Sequence, residues 1–155
     1  ELKKEIYTYT NITKKQIEEF RTLHFDVSGR YTRPIESWNK QFDIIKNNEG
    51  FVVLGYYNEL LVTAGFFIFN EFSCYYGSSA SKRELFEKPL FHSVMWDSIL
   101  HAKKIGCKFF DIGEQNLDKI SQNKLSNKEL DIEKFKSGFG GCIKLNLIST
   151  QEKNN

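Results

Sequence analysis

The sequence predicts a mixed α/β domain (α+β in its strand order) with a largely antiparallel sheet and helices on both faces. Three β-branched and aromatic runs, Phe51–Tyr56, Leu60–Phe69 and Phe72–Gly77, are separated by short turns, which is typical of an antiparallel meander. A helix that is apolar almost all round, Leu90–Ile105, then leads into the compact apolar strand Cys107–Ile112. This strand–helix–strand order predicts a right-handed crossover that makes the two strands parallel.

Two helices are predicted before the meander. Thr13 and Gln16 have the spacing of a capping box, and apolar residues follow at helical intervals. Pro34 suits the first position of the second helix, because that position needs no amide donor. Both helices are amphipathic, so each is expected to pack one face on the sheet.

The end of the chain is predicted to hold one more helix and one more strand. Ser126 and Glu129 form a second capping box, and the helix that they begin runs to about Lys136. The polar stretch Asn116–Lys128 is predicted to be a long surface loop, and Ile143–Ile148 a last strand.

Composition excludes several classes of protein. With 155 residues, 40% apolar and 27% charged, the chain suits a single folded domain over residues 1–150 and a frayed tail over 151–155. A net charge of +2 does not indicate a nucleic-acid binder, and no apolar run is long enough to span a membrane. Three widely spaced cysteines without zinc-ligand spacing favour a reducing, cytoplasmic location and no bound metal.

The first candidate site is the segment Gly29–Pro34, which carries Arg30 and Arg33 just before a helix. A guanidinium group matches phosphate and carboxylate oxygens, and a helix N-terminus carries partial positive charge. The segment therefore suits an anionic substrate. The alternative is a surface loop whose arginines meet Glu36 or solvent.

The second candidate is Ser78–Pro89, predicted to be a loop between a strand and the buried helix. Ligands gather at such places in crossover units, and the segment carries Lys82, Arg83 and Lys88. A merely solvated loop is about equally compatible with it. His92 lies in the first turn of the following helix, where a neutral imidazole would act as a donor or base. His24 and His101 are interpreted as structural.

Two further candidates lie near the end of the chain. Asp111 and Glu114 stand where a strand ends in polar residues, a place that suits a general base, although a plain turn is equally compatible. Lys136 stands among aromatic residues and glycines, where it would neutralise a phosphate or an oxyanion. A cation at a helix C-terminus also has a purely structural explanation.

Taken in order, five segments resemble the GNAT acyltransferases, and their motifs look like the FemAB-like branch, an aminoacyltransferase-like group. These are Gly29–Gln41, Arg83–His92, Trp96–Gly106, Asp111–Glu114 and Phe135–Gly141. The resemblance implies a twisted sheet that opens between the strand ending near Gly77 and the one ending near Gly113. It also implies transfer of an acyl or aminoacyl group to an amine of an activated sugar or cell-envelope precursor, a small-molecule acceptor.

The resemblance also implies roles for particular residues. A backbone amide near Tyr76–Ser78 would bind the thioester oxygen. The Q/R-x-x-G-x-G/A diphosphate pattern of GNAT enzymes is absent, so the donor is either acyl-CoA, as a co-substrate that is not tightly bound, or aminoacyl-tRNA. The alternative is a non-catalytic binding or scaffolding half of a two-domain protein, with a second such domain or a homodimer as partner. The implied catalytic residues are Glu114, His92, Asp111 and Lys136; the donor-binding residues are Tyr75, Tyr76, Gly77, Ser78, Ser79 and Arg83; and the acceptor-binding residues are Arg30, Arg33, Trp38 and Gln41.

Overall fold

The computed structural model describes residues 1–85, 87–114 and 126–144 of a chain that forms two compact units, Glu1–Gly113 and Glu114–Asn155. The described part of the first unit holds a five-stranded sheet and three α-helices, and the described part of the second unit holds one α-helix. The elements are β1 (Lys3–Tyr7), α1 (Lys14–Ser28), α2 (Ile35–Lys46), β2 (Gly50–Tyr57), β3 (Leu60–Phe69), β4 (Ser73–Ser81), a short 3₁₀ turn (Arg83–Leu85), α3 (Leu90–Lys104), β5 (Phe109–Asp111) and α4 (Asn127–Ser137).

The strands lie in the sheet in the order in which they occur in the chain, β1 to β5. The first four pair antiparallel, and β4 pairs parallel with β5. The predicted meander and the predicted parallel pair are both confirmed. Strand β1 was not predicted, because its charged residues conceal a five-residue strand. Such residues are tolerated there since β1 is an edge strand with only one paired side.

Helices cover both faces of the sheet. The core cluster that joins α1 and α2 to the sheet contains Phe20, Trp38, Leu54 and Phe66, each no more than 3% exposed. Helix α3 packs on the opposite face, where the His101 ring meets Phe51 edge-on at 4.6 Å. Because both of its faces are covered, β2 is buried from Gly50 to Gly55, which explains its continuous apolar run.

Strand β4 is longer than predicted. The prediction ended the strand at Gly77 and assigned Ser78–Pro89 to a loop, which is wrong for Ser78–Ser81 because these residues continue the ladder with β3. The Thr63 and Ser81 hydroxyls, 2.7 Å apart, join the two strands near the end of that ladder. Serine and alanine favour strands weakly, so the pairing with β3 rather than local preference sets this end.

The ends of the helices follow the predicted signals closely. Thr13 caps α1 through the predicted capping box, and Ser126 caps α4 in the same way. Pro34 is the N-cap of α2 rather than its first helical residue. Gly29 ends α1 in the left-handed conformation, with φ 69°.

The predicted last strand and most of the predicted polar loop lie outside the described residues. Ile143 and Lys144 belong to no regular element, and Asn127 begins α4. Strand β5 is shorter than the predicted Cys107–Ile112. Over the ranges that the structure describes, no helix is both long and apolar enough to cross a membrane.

The stability of the fold is expected to fall as the pH is lowered from about 7 to 5. Burial, and next the nearby Lys104, lower the pKa of His101 below its ordinary value of 6.5. Below that value the unfolded chain binds a proton that the folded imidazole resists, so acid favours unfolding, by at most about 1.4 kcal/mol per pH unit for one group. Urea unfolding midpoints measured across this window test the prediction. His101→Gln should flatten the curve, and an equally steep curve in that variant would assign the effect to other groups.

Candidate functional site

The sheet is open between β4 and β5 over most of the length of β4. The two strands pair at only three positions, from Ser73 with Phe109 to Tyr75 with Asp111. Strand β4 then continues to Ser81, and no described strand pairs with that side of it. We call Tyr76–Ser81 the open edge of β4. An unpaired strand edge presents free backbone donors and acceptors, so it is a template for an extended ligand.

The hydrogen bonds at each end of β4 show which backbone groups point to the open edge. Lys82 donates its amide to the Val62 carbonyl of β3 at 2.9 Å. Backbone groups alternate along a strand, so those of Ser79 and Ser81 point away from β3. At the other end the Phe72 carbonyl accepts amides from the β5 side, and the same alternation turns Tyr76 outward. Residues whose backbone groups point outward normally recur at every second position of a strand, but Tyr76 and Ser79 are three positions apart.

A β-bulge at Gly77 causes this change of register. Phe66 opposes Ser78 and Phe67 opposes Tyr76, which leaves Gly77 as the extra residue. A Cβ at Gly77 would lie 3.1 Å from the Phe66 ring and 3.3 Å from its carbonyl oxygen, so the close approach favours glycine. The bulge also places Ser78 on the α1–α2 face and Tyr76 on the α3 face.

Tyr76 fills the α3 side of the open edge. Its ring lies 5.5 Å from that of Phe91 in the first turn of α3, and its hydroxyl shares a 2.5 Å hydrogen bond with the Ser79 hydroxyl. Burial raises the pKa of Tyr76 above its ordinary value of 10, so the phenol stays protonated near neutral pH. The hydroxyl pair is therefore uncharged and able to donate a hydrogen bond.

Helix α2 links the open edge to the Gly29–Pro34 loop. The Ser78 hydroxyl lies 3.5 Å from the buried Gln41 side chain. Three residues join α2 to β2, so the helix runs back along the strand and its N-terminus lies at the end where β4 is open. Gln41 lies six residues after Ile35, the first residue of α2, which is roughly 9 Å along the helix, and Arg33 lies two residues before Ile35. Gln41 and Trp38 are 5% and 3% exposed, so most of each side chain is buried, and their assignment to acceptor binding stays a prediction.

The loop is held against the last turns of α1. The Tyr31 ring packs on Phe25 at 4.4 Å, and the Arg21 guanidinium lies 5.4 Å from the Tyr31 ring centre. The Ser28 hydroxyl donates to the Arg30 carbonyl at 2.7 Å. These contacts form a shallow cleft, here called the arginine cleft, lined by Arg21, His24, Phe25, Arg30, Tyr31, Thr32, Arg33 and Trp38.

His24 belongs to this cleft, although the sequence analysis interpreted it as structural. Its Nδ1 lies 3.3 Å from the Thr32 hydroxyl, and its ring meets Trp38 edge-on at 5.5 Å. Burial, and next the charge of Arg33, lower the pKa of His24. The sequence signal was available in principle, because His24 follows Phe20 by four residues on the helix face that meets α2. The sequence did not indicate that the Gly29–Pro34 loop folds back over that face of α1.

The remaining candidate residues of the first unit lie around the open end. Asp111 accepts the Gly113 amide at 2.8 Å, so it closes the turn after β5, where Gly113 has φ 86°. His92 is exposed in the first turn of α3, and Arg83 is exposed in the 3₁₀ turn. Tyr75 is 46% exposed and pairs with Asp111, so it lies at the last position where β4 and β5 are paired.

Two candidate residues belong to the second unit. The Lys136 ammonium, near the end of α4, donates to the backbone carbonyl of Glu114. The Glu114 side chain is exposed. The structure thus brings these two candidates together within their own unit. Over the described part of the chain, no group of three His, Cys, Asp or Glu residues could hold a metal ion.

Comparison with known proteins defines the class of fold. No family model and no curated protein matches the sequence. An aminoglycoside acetyltransferase from an uncultured soil metagenomic sample, in complex with sisomicin, matches with a TM-score of 0.69 at 11% identity over 97% of both chains. AAC(6')-Iy in complex with the bisubstrate analog CoA-S-monomethyl-acetylneamine matches at 0.70 and 7% identity over 99% of both chains.

A ribosomal-protein-alanine N-acetyltransferase from Brucella melitensis matches with a TM-score of 0.64 at 7% identity, over 99% of this chain and 100% of the other. These likenesses establish that the chain has the GNAT fold of N-acetyltransferases. The similarity extends over 97% or more of each compared chain.

Proposed function

We propose that this protein is an N-acyltransferase that moves an acyl group from a coenzyme A thioester to an amine. The open edge of β4 carries the proposal, because a strand that continues six residues past its parallel neighbour presents backbone donors and acceptors to an extended ligand. The bisubstrate analog bound by a protein of the same fold contains coenzyme A, which supports this choice of donor.

The open edge suits the pantetheine part of such a donor. Pantetheine is an extended chain with two amide groups, so it pairs with a strand edge as a peptide does. The outward backbone groups of Ser79 and Ser81 are the partners that we assign to it. The Tyr76 and Ser79 hydroxyls add an uncharged donor beside the thioester.

The diphosphate of the donor must be bound here by groups other than the backbone amides of a glycine-rich loop. In the segment after β4, the amides of Leu85 and Lys88 donate to carbonyls three residues earlier, at 3.2 and 2.9 Å. These two amides already donate hydrogen bonds within turns, so they are not available to a phosphate. We assign the diphosphate to the side chains of Lys82 and Arg83, which act as cations without a glycine-rich loop.

The reaction needs no nucleophile from the protein. The acceptor nitrogen attacks the thioester carbonyl, the C–S bond breaks, and an amide and a free thiol are formed. An outward amide of Tyr76 or Ser79 stabilises the oxyanion of the intermediate. We assign removal of the amine proton to His92 or Glu114, directly or through water, and we assign Asp111 and Lys136 to positioning at the end of β5 and near Glu114.

The acceptor that we propose is an amine on an activated sugar or a cell-envelope precursor, as in FemAB-like transferases. Amine substrates are supported by the aminoglycoside acetyltransferases of the same fold. A second candidate is a binding half without turnover of its own, favoured by the absence of glycine between Ser81 and Pro89. Aminoacyl-tRNA, which the FemAB-like resemblance implies, is the alternative donor to coenzyme A.

Calorimetry and amide NMR with acetyl-coenzyme A test the proposal. Binding is expected, with the Ser79 and Ser81 amides shifting more than the Ala80 amide, which points to β3. Thiol release with a panel of amines then separates an enzyme from a binding half, since only the enzyme releases thiol. No heat and no amide shift at millimolar ligand would remove coenzyme A as donor. Salt-dependent tRNA binding would then identify the other donor.

A further inference from the structure

We propose that Arg30, Arg33 and His24 form an anion subsite that binds a phosphate or carboxylate group carried by the acceptor. This inference rests on the proposed function for its link to the acceptor, although anion binding itself does not depend on it. The subsite lies in the arginine cleft, at the end of the first unit where β4 is open.

The charges of the cleft are not balanced. The four ion pairs among the described residues include Arg21, which Glu18 neutralises, but neither Arg30 nor Arg33. Both of these arginines are exposed and line the same cleft. Two guanidinium groups without a carboxylate partner attract an anion and oppose a polycationic acceptor.

The loop that carries these arginines is already ordered. Gly29 takes the left-handed conformation that turns the chain, and the Arg30 carbonyl is held by Ser28. The Tyr31 ring, 69% exposed, contacts the Phe25 ring and lies near the Arg21 guanidinium. Because these contacts fix the backbone of the loop, the entropy lost when an anion binds is mainly that of the arginine side chains.

His24 makes anion binding depend on pH. The charged and titratable groups that line the cleft with it are Arg21, Arg30, Tyr31 and Arg33. The positive charge of Arg33 opposes protonation of the imidazole. An anion between them cancels that repulsion, so binding and protonation favour each other. The affinity for an anion is therefore expected to rise as the pH falls through the pKa of His24.

NMR titration of the histidine rings at constant ionic strength tests the subsite, with inorganic phosphate and acetate in separate arms and no acyl donor. Phosphate is expected to raise the pKa of His24 and to leave that of His101 unchanged. Arg33→Gln should weaken phosphate binding roughly tenfold and raise the pKa of His24 without phosphate. Lys104→Gln is the matched control, since it should move His101 alone.

Each outcome decides the proposal. A response to phosphate but not acetate assigns a phosphate group, and the reverse assigns a carboxylate. If neither anion moves His24, or if His24 and His101 move together, the subsite does not exist. That failure would leave binding of acetyl-coenzyme A intact, whereas failure of the donor experiment would leave this titration unchanged.

Discussion

Replacing Ser79 by proline is expected to lower acyl transfer by about 100-fold or more, the scale of losing one oxyanion donor. The Ser79 amide points to the open edge, so proline removes that donor and places its ring where we propose that the thioester binds. Because the amide takes no part in the β3–β4 ladder, the fold should survive. The measurements are the rate of thiol release with an amine that supports turnover, and the thermal midpoint.

Two matched variants make this test decisive. Ser79→Ala keeps the amide and removes only the hydroxyl bonded to Tyr76, so it should lose far less activity. Ala80→Pro removes an amide that points to β3 and should instead destabilise the fold. Full activity in Ser79→Pro would mean that the donor carbonyl is bound somewhere other than the open edge.

Replacing Phe67 by alanine is expected to cost about 3–5 kcal/mol of unfolding free energy. Phe67 is fully buried, and its ring is stacked on Phe51 at 5.1 Å. It also lies within 6.0 Å of Tyr76 and 5.9 Å of Phe110, so it joins β4 to β5 beside the open seam. Denaturant unfolding of both proteins gives the difference directly.

Phe72→Ala is the control for this loss, because Phe72 is 53% exposed and should change stability by no more than about 0.5 kcal/mol. A similar loss in both variants would show that the effect is not specific to the buried ring cluster. If Phe67→Ala also releases the Tyr76 ring, the amide signals of the open edge should broaden before the protein unfolds.

Much of the fold could be predicted because its signals are local. Strand β3 begins and ends where its flanking turn residues predicted, at Leu60 and Phe69. Thr13 and Ser126 cap their helices because the capping box depends on residues only three apart. The parallel β5 followed from the buried helix before it, since a crossover is the connection that returns the chain to the same sheet.

The candidate site was predicted less completely, because it depends on contacts between distant residues. Arg30 and Arg33 could be identified from their position before a helix, but the place of His24 beside them required the loop to fold back on α1. The sequence also did not show that the packing of α1 on α2 buries most of Trp38 against Phe20 at 5.2 Å, while the ring still lines the arginine cleft.

The sequence by itself determined the helices, the four strands from β2 to β5, the helix caps and the arginine-bearing loop, because hydrophobic periodicity and capping act over a few residues. Only the tertiary structure decided that β4 runs on to Ser81, that Gly77 forms a bulge, and that the seam with β5 closes at three positions. The physical reason is that the register and length of a strand depend on its neighbours, so the open edge exists only once β3 and β5 lie beside β4.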